Sequence, residues 1–533
     1  MIWPVFPVFN RNVDWFIRSV GHSHFKFRLV FNSIMRMKKH IKIFHRIVTV
    51  AALISSLLLP TSCSEWLDVK PSTQTSEREQ FSSEQGFINA LIGAYQRMAS
   101  SVSYGKELSY GMIDVFAQVY ENKSSETDGY GIMARYNFLA APNQTLISSI
   151  WQHQYNIIAQ ANYILKNVDE QRHILHEHNY EIIKGEALAI RALVHFDLLR
   201  LFAPALAGLD QVDQPTIPYM TDFTISPKKA ASFQSVIDAI VRDLVEAEAL
   251  LVVNPEIDQI QDNEGSISLD VFGMYRQNRL NYWAVKGLLA RVHLYGGNNA
   301  QALKYAKEVI GSDKFAFVNA LTYSTEPNST KSNTIFSNEH IFSIYKSDLK
   351  NLSDDLFKTE VERPESLDLF TSVEKLKLYY EEGAGSNSDD TRGIGIGKRW
   401  NEFSESVVYS TKYYVGVNIN NVNQKLVPVL RLPEMYYIAT EASGTIEEAL
   451  AFLNVVRNAR LISVLTTDII TTAEQLENEL FKEYRKEFYA EGQLWYYYKR
   501  KNYLNLENSV GGVMNNEKYV LPKPNDEIEF GLN

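Results

Sequence analysis

Apolar residues recur every three or four positions along several stretches of this chain, the spacing that gathers them on one face of an α-helix. The plainest stretch is 180–202, where Ile183, Ala187, Ile190, Val194, Leu198 and Leu201 form the stripe. Glu186, Arg191, Asp197 and Arg200 lie off it, and Pro204 stops the element because it cannot continue a helix. The same period predicts helices over 84–100, 147–168, 233–251, 280–295, 300–310, 433–443, 446–460 and 473–489. Within 147–168, Trp151, Tyr155, Ile158, Asn162 and Leu165 share a face. Two helix pairs are joined by tight polar turns: Gly296-Gly297-Asn298-Asn299 between 281–295 and 300–310, and Gly444-Thr445 between 433–443 and 446–460.

Paired helices with a small residue at the approach, here Ala302 and Ala449, follow the logic of tetratricopeptide units. Those alanines stand 147 positions apart, which is no multiple of a ~34-residue repeat, so the repeats are degenerate and interrupted. The interruptions fall at about 101–146, 204–232, 252–279 and 311–429, with short strands expected at 341–345, 407–409 and 426–430. The expected fold is mostly α, a tetratricopeptide-like helical-repeat superhelix with long loop-rich insertions and minor β. Function is expected in the insertions, since loops on a rigid frame are free to vary.

The one long, strongly apolar run is Ile47 to Leu59, 13 residues interrupted only by Thr49, Ser55 and Ser56, which is too short for the ~17–25 that a membrane span needs. Met37-Lys38-Lys39-His40-Ile41-Lys42 precedes it and Leu59-Pro60-Thr61-Ser62-Cys63 follows. A basic head, a short apolar middle and small residues before a cut make 37–62 a signal peptide. With a cysteine directly behind the cut it resembles a bacterial lipoprotein signal, although Pro60 stands where Leu is usual. Cys63 is therefore the candidate lipid attachment site, and residues 1–36 are expected to be an upstream extension that the cell does not translate. A chain so processed is anchored to a membrane and does not span it.

Cys63 is the sole cysteine, which excludes internal disulfides and Cys/Cys metal sites. The net charge of −10 is uneven: residues 1–62 hold nine Lys/Arg and one Asp, leaving −18 for the remainder. So acidic a body repels phosphate backbones, and nucleic acid is not an expected partner.

Enzyme motifs are poorly represented. Gly393-Ile394-Gly395-Ile396-Gly397-Lys398 lacks the Ser/Thr after Lys and the spacing of a phosphate loop. His173, His176 and His178 lack the HExxH spacing, with Tyr180 where the second His would stand, and read as a solvated helix end. Asp389-Asp390 carries too little of a calcium loop, and no GxSxG occurs. No cofactor, resident metal or catalytic residue is nominated, and no enzymatic activity is expected. A surface glycosidase is the weaker alternative, because carboxylate pairs come together only in three dimensions.

The C-terminal helices carry a distinctive signature. Arg431-Leu-Pro-Glu434-Met-Tyr-Tyr-Ile-Ala-Thr-Glu441-Ala442 is followed by Asn454-Val-Val-Arg457-Asn-Ala-Arg460, then by Glu483-Tyr-Arg485-Lys-Glu487-Phe488-Tyr-Ala-Glu491-Gly492-Gln-Leu-Trp495 and Arg500. In this order the segments resemble the SusD/RagB family of outer-membrane lipoproteins. Thr440, Arg485 and Tyr497 depart from its pattern. Upstream, Trp66-Leu67-Asp68, Trp151 to Asn162, Gly185-Glu186-Ala187 to Arg191-Ala192 and Asp390-Thr-Arg392 fit as well, so the resemblance runs from Cys63 to about Arg500. It implies a scaffold of about four helix pairs within 84–310 and 431–500. It also implies a lipid-anchored, surface-exposed protein of the outer membrane that captures oligosaccharide and partners a SusC-like TonB-dependent transporter as its lid. The residues themselves give Glu434, Glu441, Glu487 and Glu491 a structural role beside arginines.

Sugar rings offer apolar C–H faces that stack on aromatic side chains, with nearby amides and carboxylates orienting the hydroxyls. Among 30 Tyr, 27 Phe and 7 Trp, those in insertions are the natural candidates: Tyr104, Tyr130, Tyr275 and Trp400, with Asn122 as a polar neighbour. Tyr496-Tyr497-Tyr498 is expected in the core, because adjacent residues point in different directions and cannot form one platform. A helical-repeat protein that binds peptides or proteins is the alternative reading.

Overall fold

The computed structural model describes residues 77–121, 129–211, 213–255, 272, 276–319, 333–357, 369–381, 389–394, 399–402, 407–414, 422–507 and 509–532. The expected signal peptide, Cys63, Asn122, Tyr275 and most of the Gly393–Lys398 run lie outside these residues.

The principal helices are α1 (Glu84–Met98), α2 (Ala141–Val168), α3 (Asn179–Phe202), α4 (Phe233–Leu251), α5 (Tyr282–Tyr295) and α6 (Asn299–Ile310). They are followed by α7 (Leu432–Ala442), α8 (Ile446–Ala459), α9 (Ala473–Glu487) and α10 (Gln493–Lys501). Each of α1 to α8 packs on the next in sequence, so four antiparallel-type pairs stack into a helical-repeat frame. The starts are set locally. Ser83, Ser232, Asn281, Asn298, Thr445 and Thr472 each accept a first-turn backbone N–H, and Thr472 with Gln475 completes a capping box.

α3 is the central element, and here the expectation of a single apolar stripe falls short. From Gly185 to Phe202 every residue is buried, so Glu186, Arg191, Asp197 and Arg200 are interior charges. Each has a counter-ion: Glu186 takes Arg276 and Arg279, Arg191 takes Asp243, and Asp197 takes Arg200. Desolvating them is tolerable because they are paired. Gly185 is glycine because α4 crosses close by; a Cβ there would lie 2.7 Å from Leu251 Cγ.

α2 begins six residues before the expected 147, with Pro142 in its first turn, a place where a missing N–H costs nothing. α10 lies beyond every element that the periodicity predicts. Its Trp495, Tyr496, Tyr497 and Tyr498 are all buried, so no polar face remains to create a period.

Among the described residues, five short strands close the long insertion. β1 (His340–Tyr345), β2 (Phe370–Thr371), β3 (Trp400–Glu402), β4 (Val408–Ser410) and β5 (Leu426–Arg431) form an antiparallel β1–β5 pair and a small sheet ordered β2-β4-β3. The register His340↔Arg431 and Tyr345↔Leu426 holds together the two flanks of the segment between these strands. The 101–121 part of the first insertion is wedged into the interior. Asp114, wholly buried, accepts N–H groups from Ala490 at 2.6 Å and Gly492 at 3.2 Å. Burial pushes its carboxyl up to about 6 in spite of these donors. Gly492 has φ of +73°, and a Cβ would meet Ile113 Cγ2 at 2.5 Å, so this turn admits only glycine comfortably. Among the described residues no helix is long and apolar enough to cross a membrane.

Candidate functional site

The C-terminal signature folds into a buried charge cluster. Glu487 is its hub, accepting from Arg392 at 3.1 Å, Arg431 at 2.8 Å and Arg460 at 2.8 and 3.0 Å. Arg460 also grips Glu339 through both terminal nitrogens at 2.8 and 2.7 Å. Arg392 closes a bidentate pair with Asp390 at 2.9 and 2.8 Å and reaches Glu483 at 2.9 Å, which explains the D-x-R turn. Arg431 holds Glu491 at 2.8 Å, Arg291 holds Glu434 at 2.6 Å, and Arg500 clasps Glu441 at 2.6 Å through both branches. Burial alone would raise the carboxyls of Glu441, Glu483 and Glu487. The arginine charges outweigh it, so Glu483 and Glu441 sit at about 2 and Glu487 lies well below the usual range. Groups that remain ionised at neutral pH cannot act as general acids. The cluster locks α7, α8, α9 and the strand ends together.

Two of the three departures from the family pattern have local reasons. Arg485 pairs with Glu507 at 2.6 Å and lies 3.8 Å from the Tyr379 ring centroid. Tyr497 stacks on Tyr484 at 4.1 Å and donates to Glu477 at 2.8 Å.

Three aromatic residues nominated as sugar contacts are interior. Tyr104 is 3% exposed and donates to Asp197 at 2.6 Å. Tyr130 is buried with its hydroxyl on Glu107 at 3.2 Å, and Trp400 is buried against Tyr489 at 4.6 Å with its indole N–H on the Tyr380 hydroxyl. Position in an insertion suggested solvent, but these insertion segments pack inward, so none of the three rings has a free face for a ligand.

An open groove of about 590 Å³ lies elsewhere, between α2, α3, α4 and the 219–223 segment of the second insertion. Its lining includes Asn162, Lys166, Asp169, Lys184, Arg191, Asp222, Phe223 and Glu246. Phe223 is 43% exposed, and its other side rests on Tyr163, with ring centroids 4.6 Å apart. The segment that carries it is firmly tied down. Asn162 Nδ2 donates to the Met220 and Asp222 carbonyls at 3.0 and 3.2 Å, and Arg191 Nη1 donates to the Thr221 carbonyl at 3.2 Å. His195 stacks on Tyr219 at 3.9 Å, and its Nε2 accepts the Met220 N–H at 2.9 Å. That acceptor role requires the proton on Nδ1, which reaches the Arg191 carbonyl at 2.8 Å. Burial holds His195 down at about 3, so the neutral ring persists.

The polar wall is also ordered. Asp243 clasps Arg191 at 2.6 and 2.7 Å, while Lys184 bridges Asp169 at 3.0 Å and Glu246 at 3.3 Å. Partial burial would lower Lys184, but Asp169 and Tyr180 hold it at about 12, fully charged. The result is an exposed aromatic face beside fixed donors and acceptors, which suits an amphipathic, hydroxyl-rich ligand. A second cleft of about 580 Å³ joins the start of α2 to Pro522–Ile528, but no aromatic residue lines it. Phe223 was not among the rings nominated from the sequence; Asp222-Phe223 inside the second insertion was the available signal.

Comparison with known proteins agrees with the fold. A family described as "Starch-binding associating with outer membrane" matches residues 65–264, and the SusD family matches 373–530. A SusD-like protein of Formosa agariphila is 24% identical over 275 residues, 52% of this chain and 47% of its own length. The chain thus spans about half the length of that curated relative. A SusD superfamily structure from Bacteroides thetaiotaomicron superposes with a TM-score of 0.62 at 21% identity, covering 84% of this chain and 98% of the other. A laminarin-binding SusD-like protein gives 0.55 at 18% identity, with 84% and 98% covered. At such identities the structures speak for the fold, while the SusD family match over 373–530 contains the signature whose buried ion pairs are described above. The chain belongs to the SusD/RagB family.

Proposed function

We propose that this protein is a cell-surface glycan-binding lipoprotein, held at the outer membrane by lipid on Cys63, that captures oligosaccharide and passes it to a SusC-like TonB-dependent transporter, which it covers as a lid. The observation that carries the reading is the groove floored by Phe223, where one exposed ring stands among charged and amide side chains already fixed by their own hydrogen bonds. Preformed polar groups lose little freedom on binding, and a ring face gives contact area at low entropic cost. Family membership supports a carbohydrate ligand, in line with the starch-binding description and the laminarin-binding neighbour. Asn122 and Tyr275 retain their place as further candidate contacts. The residues before 37 are read as untranslated and 37–62 as the cleaved signal.

Calorimetric titration of the chain with a panel of neutral oligosaccharides tests capture. Binding that is weakened by Phe223→Ala supports the groove, and absence of binding to every glycan, with uptake of a peptide instead, overturns the reading. Co-purification with a large β-barrel from membranes tests the partnership, and labelling of Cys63 with a fatty-acid probe tests the anchor.

A further inference from the structure

The open face of Phe223 is only as well placed as the ring behind it. Tyr163 of α2 supports Phe223 with centroids 4.6 Å apart, and Phe81 in turn packs edge-on against Tyr163 at 4.7 Å. Phe87 of α1 backs Phe81 at 4.6 Å. Phe81 and Phe87 are 2% and 0% exposed, so the column of rings starts in the core and ends at the groove. In so close-packed a column a displacement of one ring is passed to the next.

Phe81 belongs to the entry segment, the helical turn Glu77–Gln80 and the residue after it, which precedes α1. A second tie runs beside the rings. Glu77 pairs with Lys166 at 2.7 Å and accepts from Asn167 Nδ2 at 3.1 Å. Lys166 lines the groove with its ammonium 5.9 Å from the Phe223 centroid, and the same Asn167 amide donates to the Tyr163 carbonyl at 2.9 Å. The hydrogen bonds from Lys166 and then Asn167 hold the Glu77 carboxyl below its ordinary range, so it stays ionised at neutral pH. None of Glu77, Phe81 and Tyr163 lines the groove itself. Whatever the entry segment does for a ligand, it does through Lys166 and Phe223.

We propose that Phe81 and Glu77 are positioning residues for the glycan groove, and that ligand binding at Phe223 and docking of segment 77–81 strengthen each other. The inference rests on the reading of this groove as the glycan site and adds its regulation. Two events that share one set of contacts are linked, and the linkage acts equally in both directions. A ligand that favours the supported ring therefore holds the entry segment down, and a pull that lifts the segment loosens the ligand. Because the expected tether from Cys63 enters the body here, occupancy of the groove is felt at the anchored end of the chain.

The test uses the full chain in detergent, with the tightest-binding member of a neutral glucan panel that includes maltoheptaose and laminariheptaose. Hydrogen exchange is followed at the Phe81 and Ser82 amides, which bond back to the Glu77 and Glu79 carbonyls. Saturating oligosaccharide should slow exchange there by about threefold or more, and Phe81→Leu should weaken binding by a similar factor in calorimetry and abolish the slowing. Glu77→Gln leaves the core untouched and should weaken binding by about two- to threefold, less so at high salt. Exchange unchanged by saturating glycan, or both variants binding as tightly as the unaltered chain, overturns the proposal. Slowing of equal size in α8, which does not line the groove, means general stabilisation and also overturns it. Failure of every glycan to bind overturns the reading of the groove together with this coupling, whereas binding that is lost in Phe223→Ala but leaves exchange at 81–82 untouched overturns the coupling alone.

Discussion

Changing Glu487 to Gln removes the negative charge at the point where three buried guanidinium groups converge. The substituted amide would keep one acceptor oxygen but turn an NH₂ toward donors that already surround the site, Arg392 at 3.1 Å, Arg431 at 2.8 Å and Arg460 at 2.8 Å. Breaking one partner of a buried network costs about 3–5 kcal/mol, because the remaining charges stay desolvated. Unfolding entropy grows by roughly 2 cal/mol/K per residue, so for the compact unit Ser76–Asn533 that loss lowers Tm by about 3–5 °C. The comparison is Arg172→Ala, which breaks a 3.1 Å pair with Glu181 where the arginine side chain is 64% exposed. A solvated pair of that kind is worth less than about 1 kcal/mol. Calorimetric or circular-dichroism melts at pH 7 should separate the two variants clearly. A cycle with Arg460→Met adds a second readout: the double variant should lose less than the sum of the singles, since they share one interaction. If Glu487→Gln melts within about 1 °C of the unaltered chain, or the cycle is strictly additive, the cluster is not the lock inferred here.

Three further outcomes are expected. Phe223→Ala should weaken oligosaccharide binding by about 5–10-fold with little change in Tm, the loss of one stacking face, as measured by calorimetry. Glu441 is held at about 2 by Arg500 and Lys501 against its burial, so the stability it adds is present above the ordinary carboxylate value near 4.5 and fades as pH falls toward 2; melts across that window should flatten in Glu441→Gln. Gly492→Ala forces a side chain into a left-handed turn against Ile113 and should lower Tm by more than Gly444→Ala, where a Cβ meets nothing within 4 Å.

Helices with one wet face were legible from the sequence: 233–251 and 446–460 coincide with Phe233–Leu251 and nearly with Ile446–Ala459. Elements buried all round were legible only in part. In α3 the stripe located the helix but concealed that its charges were interior, and in α10 the aromatic run erased the period altogether. The strands at 341–345 and 426–430 were visible singly, but their pairing is a contact across the longest insertion, and nothing local encodes it. The site fared worse. Aromatic type and loop position are poor guides to exposure, because a wide ring gains most by burial; Tyr104 and Trp400 followed that gain, while Phe223 stays outside because helix-anchored hydrogen bonds hold its loop there.

The Asp114 carboxylate waits for amides 376 and 378 positions further along the chain. Until the ribosome has released nearly everything, that acid has no seat, and the wedge around it has nothing to close upon. Assembly with so distant a final latch is slow to complete, which leaves a nascent polypeptide threadable for longer.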